Sequence, residues 1–319
     1  MFDYVLPIFN KPTRQLAIPL ALMAIVPGCR NKSDEPAPAI VPEKPALAAS
    51  VAPAVSSAKP ENVKPAPAAV VRFAADKFMI GMSGNTAGED YRDMQPMHQV
   101  EVPAFLMDVN EITVAAYRAC VQAGACTDAD LTSNPKREEL NECNWGQAGY
   151  EDDPINCVSW DQAAAYCKWV GKELPTEEMW EYAAGGPKKR DFPWGMAVAG
   201  QMWGMPAAEE DYVGSWCDSA AREKKPARVW RRTSSCPIAS RPKSNTPEGL
   251  ADMATNVSEW TASVFCPYDK PKCDSRQRVI RGGHTGDHKF NYRVVVRSGE
   301  DPTGRSDFIG FRCAQREGG

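Results

Sequence analysis

From Asn156 to Gly186, apolar and polar positions follow a helical period twice, in the stretch NCVSWDQAAAYCKWVGKELPTEEMWEYAAGG. Ser159 suits a helix start, with Gln162 three residues on, a pairing that satisfies orphan amides from both directions. Ala163, Tyr166, Cys167 and Val170 recur at helical spacing, and Gly171 stops the run. Thr176 predicts the cap of a second, shorter helix. Its first turn carries Glu177 and Glu178, favourable against the helix dipole. Trp180, Ala183 and Ala184 form its apolar side, and Gly185-Gly186 end it.

Elsewhere the apolar runs are shorter and predict strands: FMIGM (78–82), HQVEV (98–102), AFLMDV (104–109), RVIRG (278–282), YRVVVR (292–297) and FIGFRC (308–313). With 23 Gly and 27 Pro interrupting regular structure, Val71 to Gly319 reads as one α+β domain with much irregular chain. There is no internal repeat. Trp145, Trp160, Trp169, Trp180, Trp194 and Trp260 lie in or beside the core segments and are expected to pack the interior. Trp203, Trp216 and Trp230 fall in a long insert, 196–236, and are freer to contact a ligand.

Five segments carry a resemblance: NEITVAAYRACVQAGAC (110–126), the helical pair above, GLADMATNVSEWTAS (249–263), RVIRGG (278–283) and GFRC (310–313). In this order they resemble the formylglycine-generating enzyme, or sulfatase-modifying factor, family over Phe78 to Cys313. The resemblance implies the formylglycine-generating-enzyme variant of the C-type-lectin-like fold, disulfide-rich and low in regular secondary structure. It does not by itself carry an activity, since one fold hosts many.

The beginning of the chain reads differently. Lys11 and Arg14 precede an apolar run from Leu16 to Val26 and then Pro27-Gly28-Cys29, the layout of a secretory signal. The run is shorter than the roughly 20 residues that span a bilayer. A cysteine at the cut site resembles a bacterial lipoprotein signal, so residues 1–28 are expected to be removed and Cys29 lipidated. Arg30 stands where an inner-membrane retention aspartate would, which points to the outer membrane of a double-membraned cell. From 29 to 70 the composition turns to Pro and Ala without aromatic residues. Such a stretch buries too little apolar surface to offset its ordering entropy, and is expected to be an extended tether reaching on the order of 100 Å.

Cysteine parity agrees with an oxidising compartment in the cell envelope. Of eleven cysteines, setting Cys29 aside leaves an even ten. Local spacing suggests Cys120–Cys126, Cys143–Cys157, Cys217–Cys236 and Cys266–Cys273. Cys167–Cys313 remains, a long closure of the kind the resembled fold uses. Spacing alone leaves the connectivity open.

The family's oxidases hold copper on two cysteine thiolates in a stretch R-x-G-G-S-x-x-C-x-x-x-x-C. Here it reads RGGHTGDHKFNYR, with His284 at the serine and Asp287 and Tyr292 at the two cysteine positions. Neither replaces a soft thiolate for Cu(I), so copper-dependent formylglycine generation is not expected. His284, Asp287 and His288 instead offer two imidazoles and a carboxylate, a set that suits iron, zinc or copper(II). Residues DMATNVSEW resemble the family's calcium motif. The resemblance implies Ca²⁺ held by the Asp252 and Glu259 side chains and the carbonyls of Thr255 and Val257. Thr255 replaces a glycine there, and is expected to have to tolerate a glycine's backbone angles.

A net charge of −4 calls for no nucleic-acid partner. Arg222, Lys224, Lys225, Arg228, Arg231 and Arg232 concentrate in the insert, a solvated loop or a surface for anionic glycan or lipid headgroups. No C-x-x-C, G-x-S-x-G, P-loop or dinucleotide pattern occurs. Two readings stand ahead of a third, a stress or assembly lipoprotein whose domain merely structures a complex. The first is a lipid-anchored, calcium-stabilised, non-catalytic module for a protein, peptide or glycan partner. The second is a metal-dependent oxidase or oxygenase using His284, Asp287 and His288.

Overall fold

The computed structural model describes residues 66–83, 89–129, 143–196, 235–285, 287 and 289–318, all within the unit Ser57–Gly319. Both predicted helices form. In α2 (Trp160–Trp169), Ser159 and Gln162 close a complete capping box, and Gly171 turns the chain at φ 82°. In α3 (Glu177–Gly185), the Thr176 side chain accepts the Met179 amide, and Gly186 at φ 66° ends the helix. A further helix, α1 (Val114–Gln122), is capped by Thr113 and buries Val114, Tyr117 and Cys120.

Nine strands form three small sheets among the described residues. β1 (Val70–Phe73), β4 (Phe105–Asp108) and β9 (Ala314–Arg316) make one antiparallel sheet with β4 central. Val70, placed by composition at the end of the tether, is thus the first residue of β1, opposite Asp108. β2 (Asp76–Ile80) and β3 (His98–Val102) pair as a ribbon. The third sheet runs β7 (Arg297–Glu300), β6 (Arg278–Arg281), β5 (Ser258–Val264), β8 (Ile309–Gly310), with β5 and β8 parallel.

Two strand expectations need correction. YRVVVR is not a strand: Tyr292 ends a 3₁₀ turn, Val294 is buried in a core cluster, and only Arg297 enters β7. The run can leave the ladder because the guanidinium of Arg281 donates to the carbonyls of Val294 (3.2 Å) and Val296 (2.8 Å). A buried charge thereby satisfies backbone that a sheet would otherwise have to satisfy. FIGFRC yields only a two-residue strand, after which the carbonyls of Phe311 and Cys313 accept from Ile112 and Asp108.

The interior divides into apolar clusters, with α3 contributing to one and β5 to the other. One joins α1, α2, Trp260, Phe311 and Cys313; another joins β1–β4, Trp180 and Val294. Trp180 and Trp260 are fully buried, whereas Trp145, Trp160, Trp169 and Trp194 are half-buried and pack against the clusters. Disulfides join Cys120–Cys126, Cys143–Cys157, Cys167–Cys313 and Cys266–Cys273. Cys236 is also disulfide-bonded. Its expected partner, Cys217, lies outside the described residues, as do Cys29, the leader, the tether to residue 65 and the basic insert.

Candidate functional site

Three arginines cross the interior between the clusters, each against a carboxylate. Arg312, fully buried, binds Glu259 through Nε (2.9 Å to both oxygens) and Nη2 (2.7 Å to Oε1). The Trp180 indole donates to the same carboxylate at 2.8 Å. The rest of the Arg312 fork donates to the carbonyls of Asp108, Val109 and Ala251. Arg297 grips Glu177 with both arms (2.6 and 2.8 Å), and Arg281 bonds Glu181 while its Nε lies 3.2 Å from Glu177. Lys189 is a second cation on Glu181, at 3.1 Å. Glu177 therefore points into the core; dipole compensation is a secondary role. A carboxylate inside a protein needs such partners, because desolvating an unpaired charge costs several kcal/mol.

After Arg281, the chain passes Gly282 and Gly283 at backbone-contact distance. A Cβ on Gly282 would lie 2.6 Å from the Met253 carbonyl oxygen; one on Gly283 would lie 2.8 Å from the Tyr292 ring and 3.1 Å from the Ala254 oxygen. The Arg-Gly-Gly sequence thus lets the loop lie flat on residues 253–254, and aims His284 and Asp287 at a cavity of about 390 Å³. Its lining mixes polar groups, Ser258, Asn291, Arg297 and Ser298 among them, with the apolar side chains of Ile280, Val296 and Phe308.

At the two cysteine positions of the copper motif, Asp287 lines the cavity but Tyr292 does not. The Tyr292 side chain is fully buried, and its hydroxyl donates to the carbonyls of Asp287 (3.3 Å) and His284 (3.4 Å). Burial pushes its phenol up to about 12, so it stays a neutral donor that pins the loop. All nine described cysteines are disulfide-bonded, so none of them supplies a thiolate.

His284 and Asp287 do come together, Nε2 to Oδ2 at 3.5 Å, while His288 lies outside the described residues. The His284 ring stacks on Phe308, and its Nδ1 is 3.1 Å from the Thr285 carbonyl oxygen. Asn291 holds the other oxygen of Asp287 at 2.7 Å. A neutral imidazole donates through one nitrogen only, so a proton on Nδ1 would leave the Nε2 lone pair facing the Asp287 side. Among the described residues, no group of three His, Cys, Asp or Glu side chains is placed to hold a metal ion.

The loop expected to hold calcium fits in part. Asp252 is buried and makes no ion pair among the described residues; its carboxylate accepts from the amide of Ala239 (2.8 Å) and the hydroxyl of Thr255 (3.4 Å). Glu111, unremarked in the sequence, lies beside it and accepts from Asn256 (2.7 Å) and the Val257 amide (3.3 Å). Buried Arg241 and Arg312 act on Asp252, and Arg312 on Glu111, while the two neighbouring carboxylates offer the hard oxygens that calcium takes. Glu259 does not fit as a dedicated ligand, since Arg312 and Trp180 already engage both its oxygens. The left-handed positions of the loop are Asp252 (φ 56°) and Asn256 (φ 68°), so Thr255 carries no glycine-like backbone cost.

These features define an α+β domain built around buried arginine–carboxylate pairs, with an Arg-Gly-Gly turn forming the rim of its cavity. Residues 56–317 match the Sulfatase-modifying factor enzyme 1-like domain, and the chain belongs to that family. It is 37% identical over 288 residues to the Inactive C-alpha-formylglycine-generating enzyme 2 of Bos taurus, spanning 78% of this chain and 88% of that protein. It is 30% identical over 324 residues to the Formylglycine-generating enzyme of Streptomyces coelicolor, spanning 86% and 96%. PvdO from Pseudomonas aeruginosa has a similar fold, with TM-score 0.59 at 22% identity over 77% of this chain and 94% of that one. The fold is thus the formylglycine-generating-enzyme variant of the C-type-lectin-like architecture.

Proposed function

We propose that this chain is a non-catalytic binding module of the formylglycine-generating-enzyme family, held in the cell envelope by a lipid on Cys29. One observation carries the reading. The positions that would ligate copper are Asp287 and Tyr292, and Tyr292 is spent inside the loop as a hydrogen-bond pin. The cavity beside it has the size of a small-molecule or side-chain binding site and a lining rich in polar groups that could orient a ligand. The partner is a protein, peptide or glycan. Relatives of this chain include proteins named inactive, which agrees with a family member that binds without turnover.

Calcium belongs to this reading, held by Asp252 and the carbonyls of Thr255 and Val257, with Glu259 sharing its carboxylate with Arg312. Bound there, it would supply positive charge to buried carboxylates and tie the loop to β5. Elemental analysis of the purified chain beside a His284→Ala/His288→Ala variant tests the whole assignment. Calcium in both proteins, and no formylglycine from a cysteine-bearing sulfatase peptide with added copper, is the expected result. Formylglycine formation, or stoichiometric iron or copper in the parent alone, would overturn it in favour of an oxidase.

The lipid anchor has its own test. Cys29→Ala is expected to move the protein from the detergent phase to the aqueous phase in cloud-point partitioning and to abolish radiolabelled palmitate incorporation. Unchanged partitioning and labelling would remove the anchor from the proposal.

A further inference from the structure

Lys172 and Asp108 form a lysine–carboxylate pair enclosed from both sides. Nζ of Lys172 contacts Oδ1 of Asp108, with side-chain exposures of 15% and 2%. By contrast, Lys77 and Glu101 pair in solvent, and Lys189 shares Glu181 with Arg281. The other oxygen of Asp108, Oδ2, accepts the Cys313 amide at 3.3 Å, so the carboxyl group is held at both ends. Burial raises this carboxyl above its ordinary value, against the opposing pull of Lys172. Both side chains line a second cavity, of about 420 Å³, which shares no lining residue with that of His284. Ile112, Ala116, Val170 and Ile238 make part of its wall apolar. Two ions in such a place have each given up water, at a cost that their neutral forms do not carry.

We infer that the folded chain joins Lys172 to Asp108 by an intramolecular isopeptide bond, Nζ to Cγ. A proton first passes from the ammonium to Oδ1, leaving a neutral amine against a neutral acid. The amine lone pair adds to Cγ, and negative charge develops on Oδ2, where the Cys313 amide already donates. A proton from Nζ then moves to Oδ1, the Cγ–Oδ1 bond breaks, and one water leaves into the cavity. Ammonium and carboxylate thus become an amide and water; nothing is oxidised or reduced, and no co-reactant enters. Contact between the two groups makes the step intramolecular and removes the entropic part of its barrier. The product is neutral, so the same burial that opposes the ion pair favours the amide. Asp108 ends β4 opposite Val70, the first residue of β1, and Lys172 follows α2. The bond therefore ties the sheet that receives the chain from the N-terminal side to the helical layer.

The test is the mass of the purified full-length chain after reduction, alkylation and denaturation, followed by tryptic mapping. The expected result is a chain lighter by one water, a branched peptide carrying Asp108 and Lys172, and no cleavage after Lys172. Lys172→Arg keeps a cation on Asp108 but supplies no lysine amine. It is expected to keep the water and to yield the two peptides unlinked. On a denaturing gel the reduced wild-type chain should run ahead of this variant, because its closed loop survives denaturation. If Lys172→Arg fails to fold, the wild-type map still decides. Unlinked wild-type peptides cleaved after Lys172, a lost water that maps elsewhere, or the same loss in a folded Lys172→Arg would overturn the proposal.

Discussion

Arg312→Met is expected to cost about 3–5 kcal/mol of folding stability, a large share of the roughly 5–15 kcal/mol typical of a domain. The reason is the carboxylate left behind. Glu259 is fully buried, and Arg312 is its one ion-pair partner among the described residues. Removing the guanidinium also takes a donor from the carbonyls of Asp108, Val109 and Ala251, which belong to two separate segments of the chain. Arg312→Lys should rescue little, since an ammonium cannot reproduce a planar fork reaching a carboxylate and three carbonyls. Adding Glu259→Leu to Arg312→Met should recover much of the loss, because an apolar pair carries no unpaired charge. Denaturant midpoints of the single and double variants measure this. Equal stability of wild type and Arg312→Met would show that the pair contributes nothing.

Gly282→Ala is expected to be nearly as damaging, although it adds one methyl group. At φ 78°, an alanine pays about 1–2 kcal/mol for the left-handed conformation. Its Cβ would also lie 2.6 Å from the Met253 carbonyl oxygen, which is backbone and cannot swing away. Overpacking of that kind costs about 1–3 kcal/mol more, so roughly 2–5 kcal/mol together. Gly249→Ala is the control: also at positive φ, at 101°, but with nothing within 4 Å of the added carbon. It should lose only the conformational part. Unfolding curves in urea that place both variants together would mean that the close approach at Gly282 has no energetic weight.

The difference between those two glycines was not legible in the sequence. Both stand in segments that resemble family blocks, but only the packing of the turn onto residues 253–254 separates a steric requirement from a preference. The same limit applied to charge. Glu177 suits a helix N-terminus by its position, and it does sit there, yet Arg297 and Arg281 claim it from strands over a hundred residues away. Glu259 read as a calcium ligand because its neighbours match a motif; that Arg312 would reach it depended on how β5 and the C-terminal segment pair. Glu111 escaped notice altogether. An Asn-Glu pair ahead of a helix carries no local signal of burial.

Local rules, in contrast, sufficed wherever the partners are close in the chain. The capping box at Ser159, the Thr176 cap and the glycine stops after α2 and α3 satisfy orphan backbone groups within four residues, so sequence alone determined them. The reading of Asp287 and Tyr292 at the two cysteine positions likewise rests on residue type, since neither is a soft ligand for Cu(I) whatever the fold. What only the tertiary structure decided is where the charges go. It decided that YRVVV is a buried loop rather than a strand, that Tyr292 is a pin, and that Lys172 meets Asp108. Each of these turns on desolvation, and whether a charge or carbonyl is desolvated depends on segments that meet only once the chain is folded.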